Sequence, residues 1–208
     1  ETKGDVYWSF DTTSISSYSE TIRKVAYGYS KENSELPQLN LGLIVSEYSG
    51  EPLYYKVLEG SLSDPLALRQ MLADAADLGS SQVNLVMDRA FSSPTLLDRL
   101  YEQNLGFICG SKTNLNYCKS VLSSFEPQLR FGGVDTFLEE FGVQAKTSST
   151  TWSYRDPATG YLETRPLYIH VYLDSERAAS ENESLLRQIK KVQDKLAEKI
   201  ALKDSDKD

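Results

Sequence analysis

Three runs of alternating apolar residues stand in line before the first helical pattern appears. In VYWSF, Val6, Trp8 and Phe10 alternate with Tyr7 and Ser9, the period-two pattern of a strand with one face against a core. Leu39, Leu41, Leu43 and Val45 repeat it. Ser49-Gly50-Glu51-Pro52 then supplies turn residues and residues 53–58 run on as a third strand, so the second and third runs read as a hairpin. After that the rhythm changes. Asp64-Pro65 has the form of an N-cap followed by proline at the first helical position, and Leu68, Met71, Leu72, Ala75 and Ala76 keep helical spacing up to Gly79. The apolar residues Val83, Leu85, Val86 and Met87 suggest a buried strand. Ser93-Pro94 opens a second helix with Leu96, Leu97, Leu100 and Tyr101 on one face, and residues 105–109 form a short strand before Gly110. Three strands followed by helix, strand, helix and strand predict the α/β class with one mixed sheet. The first three strands should form an antiparallel meander, with the fourth strand parallel to the first.

Two of these strands end on a carboxylate. Alternation puts Asp11 on the face opposite Val6, Trp8 and Phe10, and Asp88 follows Met87 directly. Ligand sites in open α/β sheets form beyond the carboxyl ends of the strands. Two aspartates converging there would hold Mg²⁺, which takes one or two carboxylates together with phosphate oxygens. Each also has a plainer reading, Asp11 as a turn or capping residue and Asp88 as a cap of the helix that follows. The hydroxyls Thr12, Thr13 and Ser14 would then satisfy the backbone as the chain turns away.

Composition narrows the partners. The 208 residues carry a net charge of −8, with 40% hydrophobic and 25% charged side chains, enough for one substantial domain with an appendage or for two small ones. An acidic balance with a pI near 4.8 lacks the broad basic footprint of a domain that holds nucleic acid unaided. Cys109 and Cys118 fit no zinc or redox spacing and read as free thiols of a reducing compartment. No apolar run is long enough to span a bilayer and the polar opening ETKGD is no signal peptide, so no membrane partner and a cytoplasmic location are expected. The sequon at Asn182 then has no meaning.

Three separate segments resemble one enzyme family. FDTTS at 10–14, YGYSKENSELPQLNLGLIVSEYSGEPLYYKVLEGSLSD at 27–64 and VMDRAFSS at 86–93 are similar, in order and spacing over residues 5–111, to the catalytic domain of bacterial insertion-sequence transposases with a DDE triad. The resemblance implies an RNase H-like mixed sheet with flanking helices, in which the first aspartate ends the first strand and the second ends the fourth. It implies that Asp11 and Asp88 are catalytic metal ligands for two Mg²⁺ or Mn²⁺ ions in the intact enzyme. It also implies DNA cleavage and strand transfer on transposon ends and target DNA, with a homodimer in the synaptic complex. The rivals are an RNase H-like metal-dependent nuclease, with further acids near Asp11, and a non-catalytic assembly module. The family's third acid is a glutamate within a helical pattern of tyrosine, arginine, glutamate and lysine, placed after an inserted β-rich segment. That pattern is not found here; Glu176 lies where the insertion enters a polar helix. A chain cut from a longer enzyme, inactive because its third acid is missing, is therefore expected.

Residues 1–113 thus read as the first part of the catalytic core and residues 114–208 as the insertion. The latter holds a weak helical pattern around residues 117–125, aromatic and acidic residues at 131–141, and a hydroxyl-rich run at 147–151. A hairpin with its turn at Asp156-Pro157-Ala158-Thr159-Gly160 follows, and a long polar helix ends the chain. Leu185, Ile189, Val192, Leu196 and Ile200 make a narrow stripe at four- and three-residue steps, suited to a coiled-coil-like seam on a partner or on the rest of the chain. Arg89 could contact phosphate or sit on the surface. Arg23, Lys24 and Lys31 could meet DNA or remain solvated, Asp64 could support the site or only cap a helix, and His170 reads as a packed or surface histidine of a strand.

Overall fold

The computed structural model describes residues 6–28, 35–75 and 83–205. Its main sheet has five strands in the order β3-β2-β1-β4-β5. These are β1 (Val6–Ser16), β2 (Gln38–Ser46), β3 (Pro52–Glu59), β4 (Val83–Met87) and β5 (Gly106–Cys109). The meander β1-β2-β3 is antiparallel, while β1 with β4 and β4 with β5 are parallel. This is the RNase H-like arrangement. Between β3 and β4 lies α1 (Asp64–Ala75), and between β4 and β5 lies α2 (Pro94–Glu102). Both cover one face of the sheet, where Leu68, Met71, Leu96, Leu97 and Leu100 pack with Phe10, Ile44, Leu85, Met87 and Phe91. Phe10 and Phe91 meet edge to face at 5.0 Å.

Three expectations needed correcting. First, β1 does not end at Asp11. It runs on to Ser16 because β2 keeps offering antiparallel partners as far as Gln38, so Thr12, Thr13 and Ser14 are strand residues and not a turn. Thr12 and Ser14 are buried, and the Ser14 hydroxyl donates to Asn40 Oδ1 at 3.1 Å. Second, the buried side of β2 is not its leucine side. Gln38, Asn40, Gly42 and Ile44 face the core, while Leu39, Leu41, Leu43 and Val45 are half-buried on the other face. The polar pair tethers the turn after β3: Gln38 Nε2 donates to the Gly60 carbonyl at 3.2 Å and Asn40 Nδ2 to that of Leu62 at 3.0 Å. Gly42 leaves room for α1, since a Cβ there would stand 2.1 Å from Met71 Sδ. Third, the carbonyl of Ser63 accepts the first amides of α1, from Leu66 and Ala67, so the cap is one residue earlier than Asp64.

The rest of the chain adds α3 (Asn116–Arg130), the short β6 (Phe137–Leu138), the strands β7 (Val143–Arg155) and β8 (Leu162–Leu173), and α4 (Ser175–Ser205). The hydroxyl-rich run at 147–151 is the middle of β7. The turn between β7 and β8 forms as its sequence predicts, with Gly160 at φ 72 and its amide donating to the Asp156 carbonyl at 2.8 Å. The chain divides into two compact units, Glu1–Cys118 with Thr151–Leu167, and Lys119–Thr150 with Tyr168–Asp208. Within the first, the inserted hairpin is held by aromatics. Trp152 Nε1 donates to Asp98 Oδ1 of α2 at 2.7 Å and meets Tyr117 edge to face at 5.3 Å. Tyr154 stacks on Tyr101 at 5.9 Å, and the Tyr101 hydroxyl donates to the Pro166 carbonyl at 2.8 Å.

Candidate active site

The parallel ladder of β1 and β4 closes with the pairs Trp8↔Leu85, Ser9↔Val86 and Phe10↔Met87. The next residue on each strand is an aspartate. Phe10 and Met87 both point into the core, and side chains of extended backbone alternate between faces. Asp11 and Asp88 therefore leave neighbouring backbones, roughly 4.8 Å apart, at one height and toward one face. Both are exposed. Asp88 is still extended, at φ −77 and ψ 176, although β4 has ended. Asp11 lies opposite Leu43 of β2, so the carboxylates stand beside the half-buried leucine side of the sheet.

Each carboxylate is steered by a nearby amide. Asp11 Oδ1 accepts from the Thr12 amide at 2.7 Å, and Asp88 Oδ1 accepts from the Ala90 amide at 2.7 Å. The second contact caps the short 3-10 turn at Arg89–Phe91, so the capping role read from the sequence and a place at the strand end hold together for Asp88. The end of β5 braces that turn. The Gly110 amide donates to the Met87 carbonyl at 3.1 Å and the Cys109 thiol to that of Asp88 at 3.2 Å. A Cβ on Gly110 would come within 3.0 Å of the Arg89 nitrogen. Burial, followed by the charge of Asp88, pushes the Cys109 thiol up to about 12, so it is a neutral neighbour of the carboxylates and not a thiolate ligand.

The other sequence candidates lie as follows. Arg89 is exposed at the start of the 3-10 turn. Lys24 is a tether: its ammonium donates to the Val57 carbonyl of β3 and its own carbonyl accepts from the Gly60 amide. Arg23 is exposed and Lys31 falls outside the described residues. His170 is a surface residue of β8 whose Nδ1 lies 2.8 Å from the Thr147 hydroxyl. Glu176 is in the first turn of α4. Cys109 and Cys118 are free thiols. The sequence reading missed the bracing role of Cys109 and Gly110, whose only signal was a glycine directly after an apolar strand. Among the described residues, no group of three or more His, Cys, Asp or Glu side chains comes together, and no helix is long and apolar enough to cross a membrane.

No family model matches the sequence, and no curated protein matches it. Solved structures similar to it include the Mos1 transposase in a paired-end complex with its left transposon end, at 12% identity and a TM-score of 0.34 over 61% of this chain and 48% of that one. The piggyBac transposase in a synaptic complex with hairpin DNA is similar at 12% identity and a TM-score of 0.43, over 79% of this chain and 32% of that one. An endonuclease V of Ciona intestinalis bound to inosine-containing DNA gives 16% identity and a TM-score of 0.32, over 62% of this chain and 57% of that one. The chain thus spans between about a third and somewhat over half of the length of these proteins.

Proposed function

We propose that Asp11 and Asp88 are two of the acids of a DDE-type transposase site, which cuts and rejoins DNA with Mg²⁺ or Mn²⁺. The observation that carries this reading is their shared place, one residue past the last pair of adjacent parallel strands. The donor set fits the group: two exposed carboxylates, each with one oxygen steered by a backbone amide, offer the hard oxygen ligands that these cations take. A divalent ion held there supplies Lewis-acid polarisation of a phosphate oxygen and lowers the pKa of a bound water. The chain's own part is to fix the two carboxylates on strands of the core, so that little reorganisation is needed when a phosphodiester arrives.

In-line displacement clamps both the attacking and the leaving oxygen, commonly with two ions. In the intact enzyme a third carboxylate, a glutamate of the insertion-sequence type, would complete the second ion's ligands, and joining two transposon ends to a target calls for two copies of the protein. Two carboxylates supply fewer ligands than two ions take, so weak binding of one ion and no cleavage are the outcomes expected of Asp11 and Asp88 by themselves. The test is a Mn²⁺ titration followed by electron paramagnetic resonance. Weak binding that is lost in both Asp11→Asn and Asp88→Asn is expected; binding that neither substitution changes would reject the site.

A further inference from the structure

The sheet edge that carries Asp11 and Asp88 also carries two cations that the metal site does not use. Arg89 follows Asp88 directly, Lys112 stands in the segment after β5, and both are exposed. One buried hydroxyl joins their backbones. Ser92, 2% exposed, donates through Oγ to the Arg89 carbonyl at 2.9 Å, and the same oxygen accepts from the Lys112 amide at 3.4 Å. The Tyr117 hydroxyl holds Ser92 in turn by donating to its carbonyl at 2.8 Å. Gly110 lets the two segments meet, since a Cβ there would stand 3.4 Å from the Arg89 Cβ. The backbone beneath both cations is thus fixed, while the cations themselves are uncommitted. Ion pairs elsewhere neutralise cations within one helix, as Glu126 does Arg130 and Glu183 does Arg187, but none among the described residues uses Arg89 or Lys112. Asp88, one residue from Arg89, turns its Oδ1 to the Ala90 amide instead.

We propose that Arg89 and Lys112 are positioning residues, each seating one phosphate of a DNA strand that lies across the two aspartates. The inference rests on the reading of Asp11 and Asp88 given above for its choice of DNA. Charge supports it. Two carboxylates and one divalent ion balance, so the positive charge left at this edge is that of Arg89 and Lys112. The net charge of −8 repels phosphate over much of the surface, and two uncommitted cations at one edge therefore decide where a strand can settle.

The two side chains suit the task differently. The planar guanidinium of Arg89 offers paired donors that match two phosphate oxygens, and the Lys112 ammonium acts as a point charge. Contacts of this kind fix the register of a strand and carry no sequence information. The pair therefore places a phosphodiester over the aspartates whatever the bases are, and leaves the choice of sequence to other contacts.

Salt dependence tests it on the full chain. Fluorescence anisotropy of a labelled short duplex is followed in EDTA over a series of low NaCl concentrations. Arg89→Gln and Lys112→Gln should each weaken binding severalfold and reduce the slope of log K against log salt by about 0.9, the contribution of one phosphate contact on duplex DNA. Arg89→Lys keeps the charge and should keep the slope. Arg69→Gln removes the same charge from the exposed side of α1, over the opposite face of the sheet, and should leave the slope at the parent value. An equal loss in Arg69→Gln, an unchanged slope in either Arg89→Gln or Lys112→Gln, a slope lost in Arg89→Lys, or a parent chain that leaves the duplex unbound would overturn the inference. No divalent ion is present, so these slopes can fail while Mn²⁺ binding at Asp11 and Asp88 survives, and the reverse, and the two failures are told apart.

Discussion

At the scale of single residues, the neighbourhood of Asp88 makes a prediction that needs no metal. The Cys109 thiol is held neutral by burial and then by the Asp88 charge, so it should react slowly with a disulfide reagent at pH 8. Asp88→Asn removes the second cause and should speed the reaction severalfold, measured by absorbance; an unchanged rate would mean that the carboxylate does not face the thiol. The same shift fixes a pH direction. The folded state keeps the Cys109 proton up to about 12, above the ordinary value of 9.0, so its contribution to stability is present below about pH 9 and is lost as pH rises through that interval. Gly42 gives a packing prediction. A Cβ would fall 2.1 Å from the buried Met71 sulfur, so Gly42→Val should cost about 1–3 kcal/mol by overpacking, read from urea unfolding.

Among the elements, the hairpin of β7 and β8 depends on a few polar and aromatic contacts. Trp152→Phe keeps most of the apolar body but removes the hydrogen bond to Asp98. Its loss should cost on the order of 1.5–3 kcal/mol, the range for a bond to a charged group, and calorimetry should show a lower melting temperature. Elements were also where the sequence was most and least legible. Alternation located β1 and β2, a turn and an apolar run located β3 and β4, and Ser93-Pro94 located the start of α2, because those signals are local. Which side of β2 is buried was hidden. Gln38, Asn40 and Gly42 look like a solvent face until their partners Gly60, Leu62 and Met71 arrive from twenty or more residues away. The same reason explains Thr12 to Ser14 and the hydroxyl run of β7, whose residues look like loop and become strand through distant pairing. The site was half legible: a strand ending in aspartate can be read at Asp88, but that Asp11 stands level with it is a matter of register between strands.

For the whole molecule, the net charge of −8 opposes phosphate, and on the proposed function two carboxylates supply fewer ligands than two ions take. Incubation of the chain with Mn²⁺ and supercoiled plasmid should leave the plasmid intact on a gel. Nicking that disappeared in Asp88→Ala would mean that a third ligand is already present in these residues.

The parallel pairing of β1 with β4 joins residues 10 and 87, and this has a consequence in time. The antiparallel contacts of β2 and β3 join segments close in sequence and can form early, while β4 can reach β1 only after the chain between them has closed a long loop. The two aspartates are therefore strangers in any partly folded state and come level only at a late step. On the proposed function, a divalent ion added at the start of refolding has nothing to grip, so it should leave the folding rate unchanged and slow only the unfolding rate.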